Sequence, residues 1–265
     1  EEHLDDLAEV LCNLKGLPEN PVACGLTYKD DSLLDRLNKN TYKNVWRIDP
    51  KVDLNIAAKG VAGETIIPKL TPQSVRELAR RKGRVSLIVA RHVLEHAQDA
   101  LGFLNSIKYL LEPGGYVAFE VPDCTSQLEK CDYSMMWEEH ILYFVPQTLT
   151  SAFDHTSFKV SHYKNYPLPI ENAMVAVVSE DTREADWAEA QAPMSQLLEV
   201  GATFAGNFAP QRKSLRTWLS NYRSRDGKIA VFGAGHLSSM FINLMGIANC
   251  LDLVVDDDPN KTGNC

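Results

Sequence analysis

The sequence contains no apolar run near the roughly 20 residues that span a bilayer and no signal-peptide pattern. Nor is there a stripe of basic residues. Its 27 Lys and Arg are outnumbered by 35 Asp and Glu, for a net charge of −8, which argues against nucleic acid as the main partner. Cysteine is sparse, at positions 12, 24, 124, 131, 250 and 265. No two of them have the C-x-x-C spacing of a structural zinc or redox site. Cys124 and Cys131 could share a metal, but buried or loop thiols of a cytosolic protein fit the pattern better. A cytoplasmic location without bound metal is therefore expected. No internal repeat or low-complexity tract is present. The chain opens at Glu1, inside an amphipathic pattern, so a further N-terminal part is expected.

The 265 residues suffice for one large α/β domain and part of a second. The organising stretch is 85–144. Residues 85–90 form a short apolar run rich in β-branched side chains, the pattern of a buried parallel strand. A helix is expected over 103–111, with Phe103, Ile107, Leu110 and Leu111 on one face, closed by Pro113 and Gly114. The next strand is 116–121. Strand, helix and strand together take about 35 residues, the length of a right-handed crossover. Arg91, His92, Glu95 and His96 follow the first strand; Glu120 and Asp123 lie at the end of the second. Open α/β sheets bind ligands at such carboxyl ends.

Earlier in the chain, Leu4, Leu7, Val10, Leu11 and Leu14 mark a helix ended by Gly16. Residues 21–25 and 45–48 read as strands, with a helix between them that buries Leu33, Leu34 and Leu37. Asp49 lies 24 residues after Gly25. At that distance an acid can accept hydrogen bonds from ribose hydroxyls while the glycine lets a ligand approach the backbone. An Asp-Pro turn and an ordinary glycine turn explain the pair equally well. A weak pattern in 56–67 allows a third short strand, and 74–81 reads as a helix with a basic, solvated face. Later, a helix is expected over 146–153. Strands over 158–163 and 173–179 should pair antiparallel, leaving one reversed strand at the end of the sheet. Helices broken near Pro193 and Pro210 are expected to link this domain (1–180) through 181–226 to a second lobe (227–265). That lobe starts with a strand, the turn Gly233-Ala234-Gly235-His236, a helix and another strand.

His92 to His96 spells H-x-x-E-H, the inverted zinc-protease motif. It begins directly after a buried strand, so His92 should precede the first full helical turn, and no third ligand is evident. A pocket role suits His96 better, because Glu139 and His140 approach the same rim from the segment after the next strand. Glu139 beside His140 could orient an imidazole base, but only in a loop or at a helix start. A helix N-terminus enriched in acids would give Glu138 and Glu139 without chemistry.

The segments RHVLEH, LLEPGG, EVPD and EEHILYF together resemble class I S-adenosylmethionine-dependent methyltransferases. More narrowly, they are similar to sugar C-methyltransferases that act on nucleotide-linked keto-deoxysugars. FGAGHLSSMFINLMGI with VVDDDPNKTG resembles the second Rossmann-like lobe of that family. The resemblance implies a Rossmann-like α/β fold, mostly parallel with one antiparallel strand, and the start of a second such lobe. It implies S-adenosylmethionine as cofactor and a small nucleotide-sugar substrate. His140 and Glu139 match the family's proton-abstracting pair, His96 its active-site histidine, and Tyr143 lies in the same box. Gly25, Asp49, Arg91 and His92 fall on the cofactor side. Glu120, Asp123, Gly233, Gly235 and His236 fall on the substrate side. Two departures stand out: the family's cysteine-rich zinc domain is not in this sequence, and the loop after Gly25 lacks the second glycine. They keep open a relative that binds without S-adenosylmethionine. An NAD-linked enzyme using Gly233, Gly235, Ser238 and Asp256 is a more distant alternative.

Overall fold

The computed structural model describes residues 2–57, 61, 63–137, 139–169, 171–180 and 193–261. The chain forms two compact units: one of 1–123 and 141–191, the other of 124–140 and 192–265. The segment 124–140 thus falls in the second unit.

The first unit opens with helix α1 (Glu2–Cys12), strand β1 (Val22–Gly25), helix α2 (Asp31–Lys39), strand β2 (Asn44–Arg47) and helix α3 (Pro50–Leu54). Helices α4 (Gly63–Ile66) and α5 (Pro72–Lys82) lead to strand β3 (Val85–Arg91), helix α6 (Ala100–Ile107) and strand β4 (Leu111–Pro122). No strand forms among the described residues of 56–67; α4 and a 3-10 turn occupy its second half. Helix α6 ends before the expected 111 and gives way to a 3-10 turn over Lys108–Leu110. Leu111 is drawn instead into a pairing with Val85. Pro113 and Gly114 (φ 75°) therefore lie at an irregular strand start rather than closing the helix.

After a helix α7 (Thr125–Lys130) in the other unit, the first unit resumes with helix α8 (Pro146–Asp154), strand β5 (Lys159–Tyr166) and strand β6 (Ala173–Ser179). The sheet order is β2-β1-β3-β4-β6-β5. Strands β2, β1, β3 and β4 are parallel, and β6 runs antiparallel to both of its neighbours. The reversed strand is thus one place in from the edge, inserted between β4 and β5, and not at the end as expected.

Both faces of the sheet are covered, which is why the central strands read as continuous apolar runs. In β3, Leu87 and Val89 join the core that holds Leu4, Leu7 and Leu11 of α1 with Leu33 and Leu37 of α2. Ile88 and Ala90 join the opposite core, with Phe103, Ile107, Leu149 and Phe153. The period-two alternation sends the same strand into two cores. The parallel pairing of β1, β3 and β4 brings their carboxyl ends to one rim.

The second unit contains α7, helix α9 (Met194–Arg223), strand β7 (Ala230–Phe232), helix α10 (His236–Met245) and strand β8 (Leu253–Val255), with β7 parallel to β8. Residues 181–192 lie outside the described residues, but 194–223 is one helix that continues through Pro210. Proline removes a backbone donor and crowds the preceding turn. Phe204 and Phe208 before it, with Leu215 and Leu219 after it, belong to one apolar cluster, so packing holds the helix through. The Pro210→Ala protein should gain about 1–3 kcal/mol of stability in the second unit, because alanine restores the amide and relieves the clash. Urea unfolding followed by circular dichroism would check this. A neutral or destabilising result would place a break in the helix at Pro210.

Candidate functional site

The first feature of the rim is the turn after β1. A Cβ on Gly25 would lie 2.8 Å from Asp30 Cβ and 2.9 Å from Leu34 Cδ1. The glycine therefore makes room for the chain's own Asp30. That carboxylate is fully buried and accepts the amides of Leu26 and Thr27 (both 2.8 Å, on Oδ2) and of Arg91 (2.9 Å, on Oδ1). Thr27 completes the turn by accepting the Lys29 amide at 3.2 Å. Burial pushes the Asp30 carboxyl up to about 7 against the opposing pull of these amides and the Arg91 charge.

The second feature is a row of alternating charges at the ends of β3 and β4. Arg91 grips Glu120 with two hydrogen bonds, Nε to Oε2 at 2.8 Å and Nη2 to Oε1 at 3.1 Å. Its Nη1 donates to Lys29 O at 2.5 Å. His92 sits between two carboxylates, with Nε2 3.3 Å from Glu120 and Nδ1 3.5 Å from Glu95. His3 of α1 brings its Nε2 to 3.5 Å from Glu120. Burial opposes charge on His92, yet the two carboxylates outweigh it and raise its pKa to about 9. Burial likewise pushes Glu120 up, and His92 and Arg91 overcome it, holding the carboxyl at about 2. His92 has φ 50°, a left-handed conformation that few non-glycine residues adopt. Its amide nevertheless bonds Glu120 O at 2.8 Å.

His92 lies in a left-handed bend and His96 at the end of a 3-10 turn, Leu94–His96. They do not share a helical face. Among the described residues, no group of three potential ligands within coordinating reach contains His92. His96 is buried, and Gly63 of α4 packs against its ring edge, where a Cβ would meet Cδ2 at 3.7 Å. Farther along the rim, Asp123 is buried and accepts Asn165 Nδ2 at 2.7 Å.

Asp49 is exposed and caps α3, accepting the amides of Lys51 and Val52 at 2.9 Å, both on Oδ1. Those amides hold its carboxyl below the usual range. Its neighbour Ile48 donates to Gly25 O at 3.0 Å, so Asp49 follows β2 where β1 ends. The cap engages one carboxylate oxygen, Oδ1. At Gly25 the space is filled by Asp30.

Glu138 lies outside the described residues. Glu139 and His140 occupy a turn, not a helix start, closed by His140 N donating to Trp137 O at 3.1 Å. Next in the chain, Ile141 and Leu142 both donate to Glu95 O, at 2.8 and 3.0 Å. Tyr143 is half-buried in the same stretch. In the second unit, Gly233 has φ 100° and Gly235 caps α10, whose first residue is His236. Asp256, the ribose acid of the NAD alternative, accepts the Ala234 amide (2.6 Å) and Lys261 Nζ (2.8 Å) on Oδ2. Its carboxyl is thereby held down at about 2.

The structure thus brings Arg91, His92 and Glu120 together and joins them to Gly25 through Asp30. Sequence reasoning missed Asp30, His3, Asn165 and Trp137. For Asp30 a signal existed: Thr27-x-x-Asp30 is a capping-box pattern directly after a strand.

A family model described as a methyltransferase domain matches residues 28–163, and one described as a C-methyltransferase C-terminal domain matches 171–265. C-methyltransferase NovU of Streptomyces niveus is 25% identical over 159 residues, covering 60% of this chain and 38% of that protein. The chain thus spans well under half the length of that curated relative. Among solved structures, 1,6-didemethyltoxoflavin-N1-methyltransferase of Burkholderia thailandensis, with bound S-adenosylhomocysteine, is similar at a TM-score of 0.42 and 15% identity, over 67% of this chain and 78% of that one. Magnesium protoporphyrin IX methyltransferase of Synechocystis is similar at 0.44 and 12%, over 67% and 81%.

The charge row predicts a pH dependence. The folded pKa of His92, about 9, exceeds its ordinary 6.5. Its contribution to stability is therefore complete below pH 6.5 and is lost as pH rises through 9, a change on the order of 1–3 kcal/mol. Asparagine tolerates the left-handed backbone, so His92→Asn isolates the charge. Urea unfolding between pH 6 and 10 should show a steeper decline for the parent than for the variant; parallel curves would remove His92 from the ion pair.

Proposed function

The chain belongs to the methyltransferase-domain family, and on that premise we propose that it is an S-adenosylmethionine-dependent C-methyltransferase acting on the carbon α to a ketone of a nucleotide-linked sugar. The observation that carries the reading is the match of 171–265 to a C-methyltransferase C-terminal domain in the same chain as the methyltransferase domain. The side-chain inventory supports it: Glu139 and His140 stand in a turn, where adjacent side chains can cooperate as they cannot on a helix.

S-Adenosylmethionine, when bound, supplies the methyl group. Asp49 is the residue proposed to hold its ribose, at the end of β2 beside the Gly25 turn. His140, oriented by Glu139, is proposed to take the proton from the carbon beside the carbonyl, a role suited to an imidazole near neutral pH. The enolate oxygen then needs a donor in a fixed position, and His96 or Tyr143 is proposed for it. Arg91, His92 and Glu120, assigned from the resemblance to ligand contacts, serve in this reading mainly as the rigid floor of the rim, because each is engaged by the others. Asp123, Gly233, Gly235 and His236 remain proposed substrate contacts.

One observation favours a second reading, a family relative that binds without S-adenosylmethionine. Asp30 occupies the space beside Gly25 and takes the amides of the turn. Calorimetry with S-adenosylmethionine separates the two. The parent should bind, and Asp49→Asn, which keeps the cap, should lose roughly ten- to hundredfold in affinity with unchanged melting. Equal affinities would remove Asp49 from the site, and a parent that binds nothing would favour the second reading.

The base is tested before methyl transfer, by exchange of the sugar's α hydrogen in deuterated water followed by NMR. His140→Asn should slow it about 10²–10⁴-fold, with cofactor affinity nearly unchanged. Exchange as fast as in the parent would rule His140 out.

A further inference from the structure

The turn that carries His140 is gripped by rings. His140 N donates to Trp137 O, which brings the two side chains to the same side of the turn, their rings 5.8 Å apart and inclined by only 24°. On Trp137 a second imidazole is seated, that of His236, with ring centroids 3.7 Å apart and planes at 30°. The indole N–H donates to Glu139 Oε2 at 3.3 Å. Trp137 therefore touches both members of the proposed proton-abstracting pair and, in addition, the first residue of α10. That helix is itself fixed: Met245 at its far end is buried, and Arg212 of α9 donates to Met245 O at 3.1 Å.

We propose that Trp137 is a positioning residue for His140, holding the imidazole through ring stacking and being held in turn by His236 and Glu139. Offset stacking fixes the tilt of a flat ring that two soft torsions would otherwise leave to rotate. His236, assigned above to substrate, thereby gains a mechanical role, since it ties the base to the start of α10. The inference rests on the reading of His140 as the base.

The test uses the 265-residue chain and two variants, Trp137→Phe and Trp137→Leu, each checked by circular dichroism for the parent's fold. The first readout needs no substrate. Ring currents of the indole should displace the Cε1–H resonances of His140 and His236 from the free-histidine position. Trp137→Leu should return both, while Trp137→Phe retains part of the displacement. The second readout is α-hydrogen exchange of a nucleoside-diphosphate-linked keto-deoxysugar. Trp137→Leu should lower the maximal rate about 10- to 100-fold, the usual cost of misplacing a reacting group. The half-saturating sugar concentration should change little, and Trp137→Phe should recover most of the rate. An undisplaced His140 resonance in the parent overturns the proposal. So does a leucine variant that exchanges at the parent's rate, or one changed only in half-saturation, or a phenylalanine variant no better than leucine. A parent that exchanges nothing overturns instead the assignment of His140 as base, and the resonance displacements then judge the clamp alone.

Discussion

The sheet unit depends on the mutual neutralisation of charges buried where β3 and β4 end. Arg91 and Glu120 are both buried, at 8% and 1% exposure. Either alone would carry a large desolvation cost, and removing one partner strands the other. Their two-pronged contact is extended on one side by Asp30, which takes the Arg91 amide, and on the other by His92, which sits against Glu120 and Glu95. The carboxyl end of three strands is in this way tied by ionic and amide contacts, whereas the strand middles are held by apolar side chains. The rim is where the apolar pattern stops and each polar group needs a named partner.

That difference explains what was legible in the sequence. Strands β1 to β6 and most helices announced themselves by period or by short apolar runs, because packing acts on patterns of side chains. The errors fall where a long-range partner overrides a local signal. Helix α6 ends early because Leu111 is captured by Val85 on the neighbouring strand. Pro210 does not break α9, since aromatic and leucine side chains on both sides of it are bound into one cluster. The placement of β6 between β4 and β5 could not be read at all, because antiparallel pairing of two strands says nothing about which of them meets the rest of the sheet. At the site, the family resemblance supplied roles for residues, and the family itself is matched by both domain models. The partners of those residues were illegible: nothing local connects Asp30 to Arg91, 61 residues away, or His3 to Glu120.

The two strand-turn-helix starts share a device. After β1 the turn amides are taken by Asp30, and after β7 the Ala234 amide is taken by Asp256. Turns of this kind present amides that can receive a ligand's acidic group. Here a carboxylate of the same chain occupies that position in each. The two differ in what keeps the carboxylate there: Asp30 is sealed away from solvent, whereas Asp256 relies on Lys261. Any incoming group at the first turn competes with a buried acid, and at the second with a surface ion pair that salt weakens.

The order of strands also bears on synthesis of the chain. In chain order β4 has its β3 neighbour already made, while the strand that covers its other side, β6, comes about fifty residues later, after β5. Until 173–179 has emerged, β4 shows a bare edge beside buried apolar residues, the condition in which strands of different chains join. β5 cannot shield it, because its own place lies beyond β6. The pair must therefore enter as a hairpin, β6 leading against β4. Completion of the sheet unit then waits on β6, and slowing the ribosome between β4 and β6 would lengthen the interval in which nascent chains can aggregate.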